Sequence, residues 1–506
     1  MEWVHAALSH ASAGLHGVDP YSPYTLAAAA TTAALVGVAG SRLFRSKKPR
    51  RRMRATSIGS SRFMASGTTD PAVLPTYDTI INVSVTLESH PDVARLKREF
   101  EVEMLHHLRL RAVPHQDVPC GEVTWTVQRV DLDHHFVQHH VPTPAAAHTL
   151  IEHVSNALLR DKSKPWWEVH TVRVEGQKEG YMVIRIHHAL ADGVSLVEAF
   201  APLLKDKDGK ALDLTSMFNP RHLQKGGRKP ALSTRLLNLV GFPVSFVVEV
   251  LKVVGLATLP GDKPTRFCHS QWPYSGPRIA VIFPSHSLAL IKAMKDKAGK
   301  GTTVNDVEFA LFAGTIRRFL QQHDPNTDLS RVRLRALTPL ALLEQSDPET
   351  KYATMMRNLF TFVVNTLPTY VADPVERLRA SNAMWSRLKS SAAVPAAFFV
   401  HKLTAKLPIA FQRKTLVDLM SRHSVVFSNV PGAQQPAYVA GSRIVATHMI
   451  YPNFTPQVGI VSVDGRVHMC VTMAPDNEVD LRTVLPKLFR EELEATAKAL
   501  GVPMVE

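Results

Sequence analysis

The stretch "VIRIHHALADGVSLVEAF", residues 183–200, decides the fold and carries the candidate site. Residues 181–186 are apolar and rich in strand-forming residues with one arginine, which predicts a buried strand. Residues 194–200 predict the first turns of a helix, so residues 189–193 are the connection. A strand, a tight loop and a helix can hold a reactive side chain rigidly at the mouth of a cleft.

Two histidines, His187 and His188, end this strand, and Asp192 and Gly193 close the loop. Because adjacent strand residues point to opposite faces, one imidazole can face a cleft while the other braces the loop. We expect Gly193 to free the backbone to turn where a Cβ would obstruct it. The pair can also be purely structural. A zinc site is disfavoured, since the chain has no HExxH motif and no cysteine close to the pair.

Composition describes a globular chain of 506 residues, 45% hydrophobic and 20% charged, long enough for more than one core. The net charge of +15 is concentrated, because nine basic residues and no acidic one lie between Arg42 and Arg62. No nucleic-acid-binding signature accompanies this run, so we expect no nucleic-acid partner. Cys120, Cys268 and Cys470 are widely spaced, which favours free thiols in a reducing compartment.

The N-terminal segment precedes the basic run. Residues 20–41 carry no charge, are helix-prone and are about as long as the ~20 residues that cross a bilayer. With the basic run behind them, they predict a membrane anchor that leaves the rest of the chain in the cytosol. A cleaved targeting peptide is an alternative, because residues 20–69 lack acidic residues and are rich in Ala, Ser, Thr and Arg. A disordered arm is a third possibility.

The remaining chain alternates strand-like and helical runs, which predicts an α/β protein of two lobes with a cleft between them. Residues 232–260 are apolar on almost every face. They predict a helix or helix pair packed across two domains or, alternatively, a hairpin that dips into a membrane surface. We therefore divide the chain into an N-terminal anchor or targeting segment, a first lobe with the histidine pair, a linker with the apolar helix, and a second lobe: residues 1–70, 71–204, 205–277 and 278–506.

The stretch "HHALADG" fits the pattern HHxxxDG, and the chain resembles the wax ester synthase/diacylglycerol acyltransferase family. Three substitutions depart from the family pattern: Trp166 for Leu, Arg357 for Gly and Ala433 for Pro. HHxxxDG alone also occurs in condensation domains of peptide synthetases. Further similar stretches narrow the resemblance: "KPWWEVH" (164–170), "TTVNDVEFALFAGTIRRFL" (302–320), "RNLFTFVVNTLP" (357–368) and "FSNVPGAQQP" (427–436).

The resemblance implies a two-lobed, chloramphenicol-acetyltransferase-like fold of CoA-dependent acyltransferases, here with an N-terminal hydrophobic and basic extension. It implies that His188 is a general base and that Asp192 holds the loop without contacting substrate. The alternative is that Asp192 is only a turn former. An imidazole, with an ordinary pKa of about 6.5, can take the proton of an attacking alcohol and pass it to the leaving thiolate. Asn305 is the candidate donor to the oxyanion; it can instead cap the following helix alongside Thr303.

Other residues are expected to support or shape the site. Pro431 and Gly432 are expected to set a backbone turn beside the cleft. Trp166 and Trp167 are of a type found more often in a core than against a ligand. The supporting residues are His187, Asp192, Gly193 and Asp306, and the cleft-shaping residues are Pro165, Trp167, Asn358, Asn429, Pro431 and Gly432.

The expected substrates are a long-chain acyl-CoA and either a fatty alcohol or diacylglycerol, giving wax ester or triacylglycerol without a cofactor or metal. Because both acceptors reside in membranes, a membrane or lipid-droplet surface is the expected partner. The expected location is the endoplasmic reticulum facing the cytosol, with the plastid as the alternative. Rival functions are another acyltransferase of the same superfamily and a non-catalytic lipid-binding protein.

Overall fold

The computed structural model describes residues 79–115, 124–212, 214, 232–268, 276–341, 356–404, 407 and 409–504. The predicted N-terminal anchor or targeting segment, residues 1–70, lies outside this range, as does Cys120. Cys268 and Cys470 are free thiols, and burial raises the pKa of each to about 12.

The first sheet has six strands in the order β12-β13-β1-β6-β5-β4, and a separate hairpin pairs β2 with β3. Four helices lie in the first half of the chain: α1 Val93–Met104, α2 Leu132–His135, α3 Pro144–Asn156 and α4 Gly193–Phe200. The strands are β1 Ile80–Leu87, β2 Ala112–His115, β3 Thr124–Val127, β4 Phe136–Val141, β5 Trp167–Val174, β6 Gly180–His187, β12 Tyr438–Val439 and β13 Ser442–Ile450.

The second sheet runs β10-β9-β11-β14-β15-β7, with the two-residue β8 paired to β15. Its strands are β7 Ile279–Ile282, β8 His286–Ser287, β9 Leu334–Ala341, β10 Phe360–Leu367, β11 Val425–Pro431, β14 Gln457–Val463 and β15 Arg466–Met473. The helices of this half are α5 Leu232–Thr258, α6 Leu288–Ala298, α7 Val304–His323, α8 Pro374–Ser390, α9 Ala393–Thr404, α10 Ile409–Ser421 and α11 Leu481–Ala499.

These two sheets confirm the predicted α/β, two-lobed fold, but two strands from the second half of the chain, β12 and β13, belong to the first sheet. β13 pairs antiparallel with β1 from Asn82 opposite Ile450 to Leu87 opposite Ile444. A single division after residue 277 therefore does not separate the strands of the two sheets. Pairing of β13 with β1 joins the lobes through backbone hydrogen bonds.

Helix α7 differs from its sequence pattern. The motif at residues 302–320 predicts an amphipathic helix, yet every residue from Asp306 to Ile316 is buried. The reason is position, because α7 is covered by the second sheet and by α8 and α11. Its polar residues find partners inside the core: Glu308 accepts a hydrogen bond from His286 at 2.9 Å.

The apolar stretch at residues 232–260 forms one helix, α5, which continues through Pro243 to Thr258. It packs against α9 and α10. The stretch is therefore a single helix and the hairpin is wrong. Both packing partners belong to the second half of the chain, so packing across two domains stays a prediction. Among the helices in the described ranges, none combines the length and the hydropathy needed to cross a membrane.

A buried polar network lies on one face of the first sheet. Glu168 on β5 accepts hydrogen bonds from Arg185 on β6 and from the backbone N–H of Arg160, and its Oε2 lies 3.1 Å from His170 Nε2. Arg185 Nε also donates to Asn82 Oδ1 at 3.2 Å. Burial alone would raise the pKa of Glu168, but these hydrogen bonds and the Arg185 charge outweigh it and hold the pKa at about 2.

We expect Glu168→Gln to lower the free energy of unfolding at pH 7 by about 3 kcal/mol, because Arg185 would stay buried without its carboxylate. The folded pKa of Glu168 lies below its unfolded value, so this stabilisation is present above about pH 4.5 and is lost as the pH falls towards 2. Denaturant unfolding at pH 7, 5 and 3 measures both effects. Equal losses of stability on acidification in the wild type and E168Q would contradict the assignment.

Candidate active site

Asp192 joins the loop between β6 and α4 to the second lobe by hydrogen bonds. This residue caps α4, since its Oδ1 accepts from Ser195 N at 2.8 Å. Its Oδ2 accepts from Leu359 N at 2.8 Å, and its own N–H donates to the Arg357 carbonyl at 2.8 Å. Burial raises the pKa of Asp192. The carboxylate therefore uses both oxygens on backbone N–H groups and holds the loop in place.

Asn358 forms hydrogen bonds with both the ring and the backbone of His188. The Asn358 amide N–H₂ donates to the carbonyls of His188 and Ala189 at 2.7 and 3.2 Å, which fixes the orientation of the amide. Its Oδ1 then faces His188 Nδ1 at 3.0 Å and accepts a hydrogen bond from the ring N–H. The lone pair of the neutral imidazole is consequently on Nε2.

The pKa of His188 is lowered to about 4, chiefly because the ring is surrounded by protein atoms and a charged imidazolium would lose its hydration. Hydrogen bonds to its own backbone and to Asn358 oppose this effect. His188 is thus neutral at physiological pH, which is the form that can accept a proton. It is held between Phe360 and Tyr451, with ring centroids 5.6 and 5.8 Å away.

His187 points the other way and is buried. Its Nδ1 accepts from Ala189 N at 3.1 Å, its Nε2 lies 3.4 Å from Thr79 Oγ1, and Trp166 packs edge-on against its ring. This arrangement lets His187 brace the loop while His188 faces a cavity. The opposite orientation of the two rings is the one that strand geometry predicts.

The cavity around His188 encloses about 730 Å³, its open mouth included. Its wall combines aromatic and aliphatic side chains with a few amide and hydroxyl groups, and it takes residues from both sheets. The polar and aromatic residues that line it with His188 are Asp192, Phe360, Phe362, Ser428, Asn429, Tyr451, Asn453 and Gln457.

Asn305 lies behind this cavity wall. Asn429 lines the cavity and donates its amide N–H to Asn305 Oδ1 at 3.3 Å. The N-terminus of α7 is capped by Thr303, whose hydroxyl accepts from Asp306 N, while Asp306 Oδ2 accepts from Thr303 N at 2.8 Å. The capping alternative for Asn305 is therefore wrong, because Thr303 and Asp306 form the capping box. Asp306 is fully buried and also accepts from Asn382 Nδ2 at 3.0 Å.

Two expectations about glycines need correction. Gly193 is the first residue of α4, and a Cβ built on it would meet Val430 Cγ2 at an ordinary 3.5 Å, so no turn requires glycine there. Pro431 ends β11 and is exposed. Gly432 follows it, and its Cβ would lie 2.8 Å from the Ser462 carbonyl oxygen. Close approach to β14, and not a turn, is what excludes a side chain at Gly432.

Trp167 belongs to the core and does not line the cavity. Its ring stacks on Phe100 at 4.6 Å and on His135 at 4.0 Å, and its Nε1 donates to the Leu110 carbonyl at 2.8 Å. Pro165 is buried beside it, and its carbonyl accepts from Trp167 N. These residues support β5 from within the first lobe, so the cleft-shaping assignment of Trp167 is replaced by a core role.

Arg109 was not anticipated from the sequence. Its buried guanidinium donates to the Leu190 carbonyl at 2.8 Å and lies over the Trp125 ring at 5.0 Å. Burial lowers its pKa to about 10, against the attraction of Asp192. Asn358 was expected to shape the cleft, whereas it contacts His188 directly. It lies 170 positions along the chain from His188, so no local pattern connects the two.

A second, apolar cavity of about 1190 Å³ adjoins the first. The two share part of their walls: Ile81, Gly193, Val430 and Met449. Aliphatic and aromatic side chains from β1, β6, α1 and α4 form one part of the second wall, and residues of β11, β13 and β14 contribute to the rest. Thr447 is its one hydroxyl-bearing residue. The apolar cavity therefore lies beside the cavity that contains the neutral His188 imidazole.

Two family models match the chain: the wax ester synthase/diacylglycerol acyltransferase catalytic domain over residues 81–308, and the WS/DGAT C-terminal domain over residues 356–496. The chain belongs to this family. This WS/DGAT chain is similar to a protein of Mycobacterium tuberculosis described as a probable diacylglycerol O-acyltransferase. The two are 28% identical over 338 residues. That match covers 64% of this chain and 72% of the relative.

Solved structures share the fold of this WS/DGAT acyltransferase. The wax ester synthase/diacylglycerol acyltransferase from Marinobacter aquaeolei VT8 has a TM-score of 0.54 at 20% identity, covering 88% of this chain and 98% of that one. The starter condensation domain of rhizomide synthetase, in complex with C8-CoA, has a TM-score of 0.55 at 10% identity, covering 89% of this chain and 97% of that one.

In the part of this chain that the structure describes, no group of three His, Cys, Asp or Glu residues is arranged to hold a metal.

We expect Asn358→Leu to reduce acyl transfer about 100-fold, because the His188 ring would lose the acceptor that sets its tautomer and orientation. Asn365→Leu is the matched control, since Asn365 is a buried amide on β10, outside the cavity around His188. Asn358→Leu should lose roughly 1–3 kcal/mol of stability with the hydrogen bonds to the loop carbonyls. Asn365→Leu should lose less, because the buried Asn365 amide nitrogen has no hydrogen-bond partner among the described residues. Parallel kinetics and denaturant unfolding separate the two effects, and equal activity of both variants would contradict the positioning role.

Proposed function

We propose that this protein transfers a long-chain acyl group from acyl-CoA to the hydroxyl group of a fatty alcohol or diacylglycerol, producing wax ester or triacylglycerol. The observation that carries the proposal is the pairing of two spaces: the cavity around His188 and the apolar cavity that shares four wall residues with it. The first supplies a proton acceptor. The second offers a hydrocarbon chain a place away from water.

In the proposed reaction, His188 Nε2 accepts the proton of the alcohol as the alcohol oxygen attacks the thioester carbonyl carbon. The C–O bond forms and the carbonyl oxygen becomes an oxyanion. When the C–S bond breaks, the imidazolium gives its proton to the thiolate of CoA. The lowered pKa of His188, about 4, keeps the ring neutral before the attack and favours return of the proton afterwards. Acyl-CoA is a co-substrate, so no cofactor is needed.

The amide pair of Asn305 and Asn429 supports a role in stabilising the oxyanion. Asn429 lines the cavity and is held by Asn305 from behind. A side-chain amide of this pair can donate to the developing charge without a large rearrangement, which is the preorganisation that such sites require. We therefore retain Asn305 as the proposed donor or as the residue that orients Asn429 for that role.

The apolar cavity predicts a dependence on chain length. We expect Ala437→Leu to lower kcat/KM for palmitoyl-CoA about tenfold relative to hexanoyl-CoA, because three added carbon atoms would shorten the space lined by Ala437. Ala147→Leu is the control, since Ala147 is equally buried but lies in another core cluster. Steady-state kinetics with both donors measure the ratio. An unchanged ratio in A437L would show that the chain lies elsewhere.

The proposed acceptors are membrane lipids, so we propose that the protein works at a membrane or lipid-droplet surface. The uncharged residues 20–41 and the basic run after them support this location. We propose the endoplasmic reticulum facing the cytosol as its location, with the plastid as the alternative if the N-terminal segment is cleaved.

A direct assay tests the proposal. Purified protein with palmitoyl-CoA and either hexadecanol or diolein should yield neutral lipid and free CoA. We expect His188→Ala to abolish both products while the melting temperature is retained, because Nε2 supplies the base. His187→Ala should keep a measurable rate, since its ring braces the loop and does not face the cavity.

Two outcomes would contradict the proposal. Full activity in H188A would remove His188 as the base. No ester from either acceptor, with retained binding of fatty acid, would favour the non-catalytic lipid-binding alternative. Transfer from acyl-CoA to an amine but not to an alcohol would favour chemistry of the condensation-domain type.

A further inference from the structure

Helix α5 has two apolar faces, although a helix at the edge of a protein needs only one. Five aliphatic residues on its outer face follow the spacing of one helical stripe and have 36–63% of their surface exposed. At 1.5 Å per residue the stripe is about 15 Å long. We call it the outer stripe, and its members are Val244, Val247, Val248, Leu251 and Val254.

The inner face accounts for the packing of α5. Val250 is buried, and the Phe246 ring meets Phe399 of α9 edge-on, with centroids 5.6 Å apart. α5 also contacts α10. The outer stripe therefore adds nothing to this contact, and its exposure to water carries a cost that a soluble surface would avoid with polar residues.

The outer stripe lies on the helix layer that borders the His188 cavity. α9, which supports α5, packs on β10, and β10 contributes Phe360 and Phe362 to the cavity wall. α10 contributes Met420 to the same wall. Contacts between neighbouring elements therefore connect α5 with the cavity wall, through α9 and β10 and through α10.

The charge of the adjoining sequence favours an anionic surface. Residues 214–248 contain five basic residues and no acidic one, and most of the five precede α5. Beside the stripe, Lys252 is exposed and forms an ion pair with Glu249 at 2.8 Å, so the helix itself contributes no net negative charge there. An aliphatic stripe that follows a cationic segment in the sequence is a combination suited to binding anionic lipid in the interfacial plane.

We propose that the outer stripe of α5 docks on an anionic membrane surface and brings the His188 cavity to its lipid substrates. The inference rests on the proposed lipid acyltransferase function. It assigns the contact to α5, independently of the N-terminal segment. α5 lies parallel to the surface, with its valine side chains among the lipid headgroups and upper acyl chains.

A local probe tests this contact in the full-length chain. In a Cys120→Ser background, Val248→Cys is labelled with an environment-sensitive fluorophore; Cys268 and Cys470 have raised pKa values from burial and should resist labelling. Val102→Cys is the control: Val102 lies on α1 and is 63% exposed, against 44% for Val248. Vesicles of phosphatidylcholine with 30% phosphatidylserine should shift the emission at position 248 to the blue and leave that at position 102 unchanged.

A double substitution tests the energetics. With the probe at Val254→Cys, Val247→Glu/Leu251→Glu should raise the lipid concentration for half-maximal signal about tenfold or more, because two carboxylates would enter the interface. Val102→Glu/Val445→Glu, at two exposed valines elsewhere, should leave it within twofold. Activity on detergent-dispersed substrates should persist in both double variants.

These vesicles hold neither acyl-CoA nor acceptor, so the docking result is independent of turnover. If the probe at position 248 does not respond to vesicles, the docking proposal is wrong even where esterification is measured. A signal that grows with protein concentration in the absence of lipid would instead identify a face between two copies of the chain, and would also overturn it. A response with no esterification would leave docking standing and refute the proposed function.

Discussion

The reciprocal hydrogen bonds between residues 357–359 and the loop at 188–192 are the constraint on which the site depends. Asn358 orients the His188 ring and holds two loop carbonyls, while Asp192 binds backbone groups of the opposite segment. Asn358 and Asp192 are buried, where an unmade hydrogen bond would be costly, so each segment stabilises the other. The position of the imidazole is therefore a property of the assembled lobes.

The first sheet separates two kinds of environment. Along β1, Ile81, Val83 and Val85 face the apolar cavity, whereas Asn82 faces the network of Arg185 and Glu168. The alternation of strand residues makes this division possible. A cavity wide enough for a hydrocarbon chain lacks the close packing that normally stiffens a core, and the hydrogen-bonded network behind the sheet supplies rigidity to that wall.

Much of this could be predicted from the sequence, because some signals are local. The strand, loop and helix around His188, and the opposite directions of the two imidazoles, follow from strand periodicity and turn chemistry. The burial of α7 could not be predicted, because the second sheet, α8 and α11 pack around it and come from other parts of the chain. Gly193 illustrates a misleading local signal: its backbone is unstrained and has room for a Cβ, so turn chemistry does not explain glycine there.

The sequence by itself determined the α/β class, the HHxxxDG loop and the family resemblance, because each depends on residues close together in the chain. Tertiary structure alone decided that Asn358 sets the tautomer of His188 from 170 positions away. It also decided that β13 completes the first sheet and that Thr303, not Asn305, caps α7. Contacts between distant segments have no local periodicity, so they become visible only when the two lobes are folded against each other.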